Sequence, residues 1–464
     1  MKHDTSLKKS SLVIVTMASF LTPFMGSAVN LAIPSIGKEL TGGAYLLSWV
    51  VSSFLLASAA FLVPFGRLAD IIGRKKIFLL GIAGFSLFSL LCCSARSLEA
   101  LIIFRLLQGI ASAMVFSTGM AILTSVFPPG ERGKVLGINS ATVYTGLSLG
   151  PVLGGAMNHY LGWESIFYFN VPIGILIILL TLLKLPGEWV GASGEKFDLT
   201  GSILYVLGLV TFIYGLSSIA KSMEAKYILL LSLFVIGIFI WQQKQKENPL
   251  LNVALFSKNM TFAFSNLAAL INYSATFAVS FLMSLHLQVT MGLNSQVAGL
   301  IMLAQPVVMA LLSPFAGRLS DRIEPRIVSS WGMGIVTLGL FVLLFITKTT
   351  PIWLIVANLM LLGIGFALFA SPNSNAVMGS VEKRFYGIAS STLGTMRLTG
   401  QAISMAIVTL IIALYVGNME LSPAYSDLLI RSTKTSFIIF TVLSASGIFA
   451  SLARGNVYNQ NQAK

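Results

Sequence analysis

The chain has 464 residues, of which 56% are hydrophobic and only 10% are charged, with a mean hydropathy of +0.86. Soluble proteins carry about 25% charged residues, so this composition excludes an ordinary soluble protein and indicates a polytopic membrane protein. The net charge of +14 predicts no nucleic-acid partner, because attraction of basic loops to anionic lipids at a cytoplasmic membrane face accounts for it.

Fourteen stretches are long and apolar enough to cross a bilayer, which takes roughly 20 residues as a helix. Transmembrane barrel strands would alternate apolar and polar residues, whereas these stretches are continuously apolar. We therefore predict an all-α polytopic membrane protein. The predicted spans are 11–36, 46–65, 77–95, 98–127, 134–158, 163–184, 198–219, 226–243, 260–288, 296–317, 326–347, 351–376, 385–415 and 432–453.

The basic residues predict the orientation of these segments. If the first segment starts in the cytoplasm, the inner loops and tails hold roughly three times as many Lys and Arg as the outer loops. Both termini are therefore expected in the cytoplasm, with the protein in the cell membrane.

Cys92 and Cys93 are adjacent, without nearby His or acid, so we interpret them as packing residues and predict no metal or cofactor.

Asn30 lies in the first predicted segment, where an unpaired amide would be costly, so it is expected to face a cavity. The fourth segment carries Arg105 and Gln108. About seven residues at roughly 1.5 Å each place Arg105 roughly 10 Å deep. An arginine at that depth requires substrate, water or backbone carbonyls, so two interpretations remain: a cavity residue, or an arginine held by its neighbours.

A charged link between the second and third segments reads G-R-L-A-D-I-I-G-R-K-K over residues 66–76. A weaker copy, G-R-L-S-D-R-I-E-P-R, lies 251 positions later at 317–326. Two copies in register indicate two related halves. The candidate residues of a conformational switch in these links are Gly66, Asp70, Gly73, Arg74, Asp321 and Arg322.

The fifth predicted segment has a run of small residues. Glycines spaced four apart allow helices to approach closely, and a proline lets the helix bend. The residues concerned are Gly146, Gly150, Pro151, Gly154 and Gly155.

The later segments contain further polar residues at membrane depth. They add Gln288, Asn358, Arg397 and Gln401 to the candidate cavity residues Asn30, Arg105 and Gln108. All sixteen acids fall in loops, tails or helix ends, so no carboxylate is predicted in mid-membrane. A cavity with arginines and no acid predicts neutral, zwitterionic or anionic amphipathic substrates. A proton carrier, if present, is expected at a helix end, and the candidates are Glu164 and His286.

These motifs resemble the major facilitator superfamily, in particular its fourteen-helix drug:H+ antiporter branch. The loop pattern, R-x-x-Q-G around Arg105 and the exporter-type G-x-x-x-G-P-x-x-G-G string each match, whereas Met25 replaces the Asp expected in the first helix. The resemblance implies an N-terminal six-helix half (1–185), linkers with two inserted helices (186–258) and a C-terminal six-helix half (259–464). It also implies that Asp70 meets the thirteenth helix near Arg384, and Asp321 the fifth near Lys134.

The predicted function is secondary active transport, by export of small amphipathic compounds through alternating access driven by a proton gradient. The alternatives are a specific metabolite or organic-anion transporter, and a non-transporting membrane receptor. An enzyme is not expected, because no nucleophile or acid/His set lies at membrane depth. A monomer is expected.

Overall fold

The computed structural model describes residues 2–247, 249–251, 253–320, 322–381 and 386–455. In this part of the chain the long elements are all helices. They are α1 (Lys2–Glu39), α2 (Ala44–Ile72), α3 (Arg74–Cys93), α4 (Leu98–Val126), α5 (Pro129–Leu161), α6 (Glu164–Lys184), α7 (Leu199–Ser218), α8 (Met223–Gln245), α9 (Met260–Thr290), α10 (Ser295–Ser320), α11 (Pro325–Phe345), α12 (Ile352–Gly379), α13 (Tyr386–Tyr415) and α14 (Ser426–Ala453).

Thirteen helices in the described residues are long and apolar enough to cross a membrane. The remaining long helix is α5, whose Gly, Ser, Asn and Thr residues lower its hydropathy. It lies along α1 over much of its length, so it is an integral part of the bundle. The predicted all-helical membrane fold is confirmed.

Three helices are interrupted where the sequence predicted continuous spans. The breaks lie at Phe169 in α6, at Phe277 and Ala278 in α9, and at Leu303 in α10. In α9 the Ala278 N–H donates to the Ser404 hydroxyl of α13 (3.1 Å), which satisfies a backbone group at the break. The last turn of α9, His286–Thr290, is π-helical. Hydropathy does not report such local changes of helix type.

Two groups of six helices pack among themselves. In the first group, α1 packs on α5, and α4 packs on both α2 and α3. In the second group, α12 packs on α10 and α11, and α9 packs on α13 and α14. Because the fourteen helices alternate in direction, α1 begins and α14 ends on one face, which we call the terminal face. The other side is the opposite face.

The inserted pair, α7 and α8, differs in its packing. Helix α7 lies against α2 of the first group and α13 of the second. Helix α8 packs mainly on α7 and exposes large apolar side chains such as Leu230, Phe234 and Trp241. The inserted pair is therefore attached through α7, while α8 lies at the periphery.

The small residues of α5 permit its close approach to α1. A Cβ atom at Gly146 would lie 2.7 Å from the Phe20 carbonyl oxygen, and one at Gly154 would lie 2.7 Å from the Ala28 Cα. Both neighbours are backbone atoms, so a side chain could be accommodated only by moving the helices apart. Gly146 and Gly154 thus lie where α5 approaches the backbone of α1 closely.

We expect Gly146→Ala to destabilise the protein by about 1–3 kcal/mol, the usual cost of inserting a methyl group into packed structure. Gly137→Ala on the same helix is the matched control, because a Cβ there meets nothing within 4 Å. Thermal unfolding of the purified protein in detergent, followed by circular dichroism, measures both. Equal melting temperatures for the two variants would contradict the packing argument.

Candidate functional site

Arg105 lies inside the first group of helices and is fully buried. Its Nε donates to the Val50 carbonyl oxygen (3.1 Å), and its Nη1 donates to Gln108 Oε1 (2.5 Å). Gln108 in turn donates to the Ser89 hydroxyl (2.7 Å). The guanidinium carbon lies 4.2 Å from the centroid of the Phe54 ring. Neutral dipoles and an aromatic face, rather than a carboxylate, therefore surround this cation.

Of the two interpretations of Arg105, these contacts support an arginine held by its neighbours. The described contacts of Arg105 and Gln108 come from α2, α3, α4 and α6, all in the first group. They hold both side chains within that group. A direct contact of either residue with substrate stays a prediction.

A polar ladder joins α1 to α9 near the opposite face. Asn30 Nδ2 donates to the Ser280 hydroxyl (3.0 Å), and the Ser284 hydroxyl donates to the Asn30 carbonyl oxygen (2.6 Å). Gln288 Nε2 donates to the Leu31 carbonyl oxygen (3.1 Å). The predicted cavity residues Asn30 and Gln288 therefore connect the two groups of helices.

Further contacts close the opposite face. The Ser295 hydroxyl donates to the Gly155 carbonyl oxygen (3.0 Å) between α10 and α5, and Ser52 and Thr409 join α2 to α13 (3.1 Å). The loop before α2 also pairs with the loop after α13, since the Ala44 N–H donates to the Met419 carbonyl oxygen (3.0 Å). Gly155, predicted as a packing residue, thus lies at the contact between the two groups.

On the terminal side the described residues contribute a weaker contact between the groups. The Ser390 hydroxyl of α13 lies 3.4 Å from the Met120 sulfur of α4. Among the described residues, the polar contacts between the groups are therefore concentrated toward the opposite face.

An aromatic and cationic cluster lies midway along the helices, where the groups meet. The Arg397 guanidinium carbon of α13 is 5.5 Å from the centroid of the Tyr273 ring of α9. That ring makes an edge contact with Phe366 of α12, with centroids 5.5 Å apart. Tyr144 and Leu147 of α5 pack against the same apolar cluster. We call Arg397, Tyr273, Phe366, Tyr144 and Leu147 the central cluster.

Two other predicted cavity residues lie in the second group. Gln401 is one helical turn beyond Arg397 and is buried. Asn358 Nδ2 donates to the Gly339 carbonyl oxygen (3.0 Å), and this bond joins α12 to α11. Asn358 therefore connects two helices within the second group.

The two candidate proton carriers have different environments. His286 is 2% exposed, begins the π-helical turn of α9, and neither ring nitrogen has a hydrogen-bond partner in the described residues. Glu164 is partly exposed at the start of α6 on the opposite face. Among the acids whose side chains the structure describes, Asp198 is the buried one, and it lies at the start of α7 on the terminal face.

The first charged link forms a tight turn on the terminal face. Asp70 pairs with Arg74 (2.7 Å), whose guanidinium also donates to the Ala121 carbonyl oxygen of α4 (3.0 Å). Gly73 has a φ of +123°, a conformation that favours glycine. Gly66 faces Ser117 of α4. The turn is thereby tied to α4.

The linker after α6 covers this turn, which the sequence did not predict. The Asp70 carbonyl oxygen accepts from the N–H groups of Gly191 (3.0 Å) and Ala192 (2.9 Å). The Glu188 carboxylate accepts from the Lys75 N–H (2.6 Å) at the start of α3. An acid at a helix start is favoured by the helix dipole, so Glu188 supplies an N-cap from a distant part of the chain.

Each predicted switch contact includes a residue whose side chain lies outside the described part of the chain. Asp321 and Arg384 lie outside the described residues, as does the side chain of Lys134. Arg322 lies in an exposed turn, where its N–H donates to the Leu319 carbonyl oxygen (3.1 Å). The predicted contacts of Asp70 and Asp321 with α13 and α5 stay predictions.

Comparison with known proteins agrees with this architecture. The profile of the Major Facilitator Superfamily matches residues 15–269 and 265–462. The chain belongs to the major facilitator superfamily. It is 29% identical over 395 residues to the riboflavin transporter RibZ of Clostridioides difficile, covering 85% of this chain and 86% of RibZ. It is also 29% identical over 408 residues to the multidrug resistance protein Stp of Mycobacterium tuberculosis, covering 87% of this chain and 75% of Stp.

The fold of this major facilitator protein is shared with solved transporters. A bacterial homologue of the human lysosomal transporter Spinster, in an inward-facing and unoccupied conformation, aligns with a TM-score of 0.68 and 17% identity. The alignment covers 96% of this chain and 97% of the homologue. Membership of the superfamily and the relatives above make the protein a multi-pass membrane transporter of small molecules.

Sequence reasoning missed one buried arginine of this transporter. Arg454, just after α14, is fully buried, and its guanidinium donates to Asn373 Oδ1 of α12 (2.8 Å) and the Ser265 hydroxyl of α9 (3.3 Å). By sequence alone Arg454 belongs to the charged tail, because it directly follows the last apolar stretch. The polar residues Ser265 and Asn373 inside neighbouring apolar segments were the available signal.

We expect Arg105→Met to lower the thermal stability of this transporter, because it leaves Gln108 Oε1 without its donor. Each buried acceptor left unpaired costs about 1–3 kcal/mol. Adding Gln108→Leu removes that acceptor, so the double variant should lose less than the sum of the single variants. Arg431→Met, at an exposed arginine of α14, is the control. Fluorescence-detected unfolding in detergent measures the stability of Arg105→Met, Gln108→Leu, the double variant and Arg431→Met. If Arg105→Met is as stable as the wild type, the hydrogen bonds of Arg105 do not stabilise the protein.

Proposed function

We propose that this major facilitator transporter exports small amphipathic compounds by alternating access, with the central cluster as the substrate site. The observation that carries the proposal is the position of Arg397 beside Tyr273 and Phe366, midway along α13, α9 and α12. Tyr144 and Leu147 bring α5 of the first group to the same place. A substrate there touches both groups, as alternating access requires.

The chemistry of the central cluster favours neutral or anionic substrates with a planar part. Aromatic side chains supply apolar contact area, and Arg397 supplies a cation without a carboxylate partner in the described residues. A cationic drug would meet a like charge in a medium of low dielectric constant. The similarity to multidrug resistance proteins such as Stp supports export of several compounds.

The two six-helix groups are proposed as halves, with boundaries near residues 185 and 258, that rock about the central cluster. We further propose that the protein acts as a monomer in the cell membrane, with the terminal face in the cytoplasm. The conformation closed at the opposite face then opens the substrate site toward the cytoplasm. In this state an exporter would receive its substrate.

A second candidate function is transport of one planar metabolite. The similarity to the riboflavin transporter RibZ favours it, since a flavin-sized ring system suits an aromatic site with a cation at one edge. The two candidates differ in the number of accepted substrates.

The deciding experiment measures flux in proteoliposomes, with carboxyfluorescein, riboflavin and ethidium as anionic, neutral and cationic compounds. Export of several compounds under a proton gradient supports the multidrug exporter, and movement of riboflavin alone supports the specific transporter. Ethidium as the best substrate would contradict the proposed role of Arg397.

We expect Arg397→Gln to reduce carboxyfluorescein flux about 10- to 100-fold, since hydrogen bonds to charged groups contribute about 1.5–3 kcal/mol. Arg431→Gln, which removes an exposed arginine of α14, should leave the flux unchanged. Equal flux through both variants, at equal reconstitution, would remove Arg397 from the site.

Proton coupling is proposed to run through His286, the buried histidine of α9. We expect His286→Gln to abolish substrate-linked proton movement, measured with a pH-sensitive dye in the liposome lumen, because Gln cannot titrate. His159→Gln, at an exposed histidine of α5, is the control. Retained coupling in His286→Gln would exclude this residue and leave Glu164 as the candidate.

A further inference from the structure

The α7–α8 connection lies where the two groups of helices meet on the opposite face. Lys221 in this connection has its Nζ 3.5 Å from the centroid of the Tyr45 ring, at the start of α2. The same Nζ donates to Asn418 Oδ1, in the connection between α13 and α14 (3.0 Å). One side chain from the inserted pair therefore contacts both groups at once.

The surroundings of Lys221 hold its partners in place. The Tyr45 hydroxyl forms a hydrogen bond with the Ser218 hydroxyl at the end of α7 (3.0 Å). The Tyr45 N–H donates to the Gly417 carbonyl oxygen (3.2 Å). A Cβ atom at Gly43 would lie 2.6 Å from the Asn418 carbonyl oxygen, so these two loops touch through their backbones. Glycine at position 43 is what permits that approach.

Helix α7 fixes the connection relative to the first group. The Tyr205 hydroxyl donates to the Ala59 carbonyl oxygen of α2 (3.4 Å), and the Tyr214 and Trp49 rings lie 6.0 Å apart. The contact of α7 with α13 is also extensive. Lys221 is thus presented by a helix that is itself seated between the two groups.

We propose that Lys221, together with Tyr45 and Asn418, forms a latch through which the inserted pair holds the opposite face closed. The two contacts exist only while the α1–α2 and α13–α14 connections are adjacent, because a single Nζ cannot reach both after they separate. The latch therefore stabilises the closed state selectively and sets the equilibrium between the two states. This inference rests on the proposed alternating access.

The test measures the separation of the groups on the opposite face without substrate. Spin labels are attached to Glu99→Cys, at the start of α4, and Thr349→Cys, between α11 and α12, in a Cys92→Ala, Cys93→Ala background. Both labelled positions are exposed, and the loops of the latch contain neither. Double electron–electron resonance of the full-length protein in nanodiscs gives the populations of the short and long distances.

We expect Lys221→Met to raise the ratio of the long-distance to the short-distance population about two- to fivefold, as for the loss of one exposed cation–π contact. Met retains the aliphatic length and removes the charge. Asn418→Leu should raise the same ratio. Lys221→Arg, which retains the positive charge, should give the ratio of the wild-type protein. The control is Lys226→Met, an exposed lysine of α8 on the same face.

If the ratio of the long-distance to the short-distance population is equal in Lys221→Met and Lys226→Met, the proposed latch is wrong. If Lys221→Met fails to give a monodisperse protein, Asn418→Leu decides by the same criterion. The distance measurement tests the latch, and the flux measurement tests the proposed export, so each proposal can be refuted without the other. Export with an unchanged distance distribution refutes the latch alone, whereas a shifted distribution without any flux refutes the proposed export and retains the latch.

Discussion

A buried charge must find its partners within the protein, and the two fully buried arginines show how this constraint organises the helices. The hydrocarbon supplies no hydrogen bonds, so an unpaired donor or charge would cost several kcal/mol. Arg105 meets this requirement with a carbonyl, an amide and an aromatic ring, and Arg454 meets it with an amide and hydroxyls. Each arginine thereby joins several helices of one group.

The contacts between the two groups are of a different kind. Asn30 with Ser280, and Ser295 with Gly155, are single neutral hydrogen bonds between small side chains or backbone atoms. Each contributes only about 0.5–1.5 kcal/mol net, so the opposite face is held closed by the sum of many such contacts together with helix packing. The buried arginines thus hold helices together within a group, whereas the polar contacts between Asn30 and Ser280 and between Ser295 and Gly155 join the groups without a charge, an arrangement compatible with the proposed rocking motion.

The helices could be predicted from the sequence because hydrophobic length is a direct consequence of bilayer thickness. The structure places Gly146 at a close approach of α5 to α1 and Arg397 midway along α13, and both residues belong to motifs that the sequence displays. The partners of Arg105 and the cover that Glu188 forms over the first charged link could not be predicted. They depend on which helices become neighbours and on a linker far away in sequence, and neither leaves a periodic signal. The π-helical turn at His286 could not be predicted for a different reason: hydropathy reports the length of an apolar segment and not its local helix geometry.

The inserted pair illustrates how a peripheral element can influence a central motion. Helix α8 exposes most of its surface and contributes little to the packing of either group. Its sequence is accordingly a plain apolar run without a packing motif. Helix α7, by contrast, is seated between α2 and α13, the two helices whose flanking loops pair on the opposite face. An element in that position must be accommodated whenever the two helices separate. The free energy of opening therefore includes the contacts of α7, and the sequence of its loop can adjust that free energy without altering the substrate site.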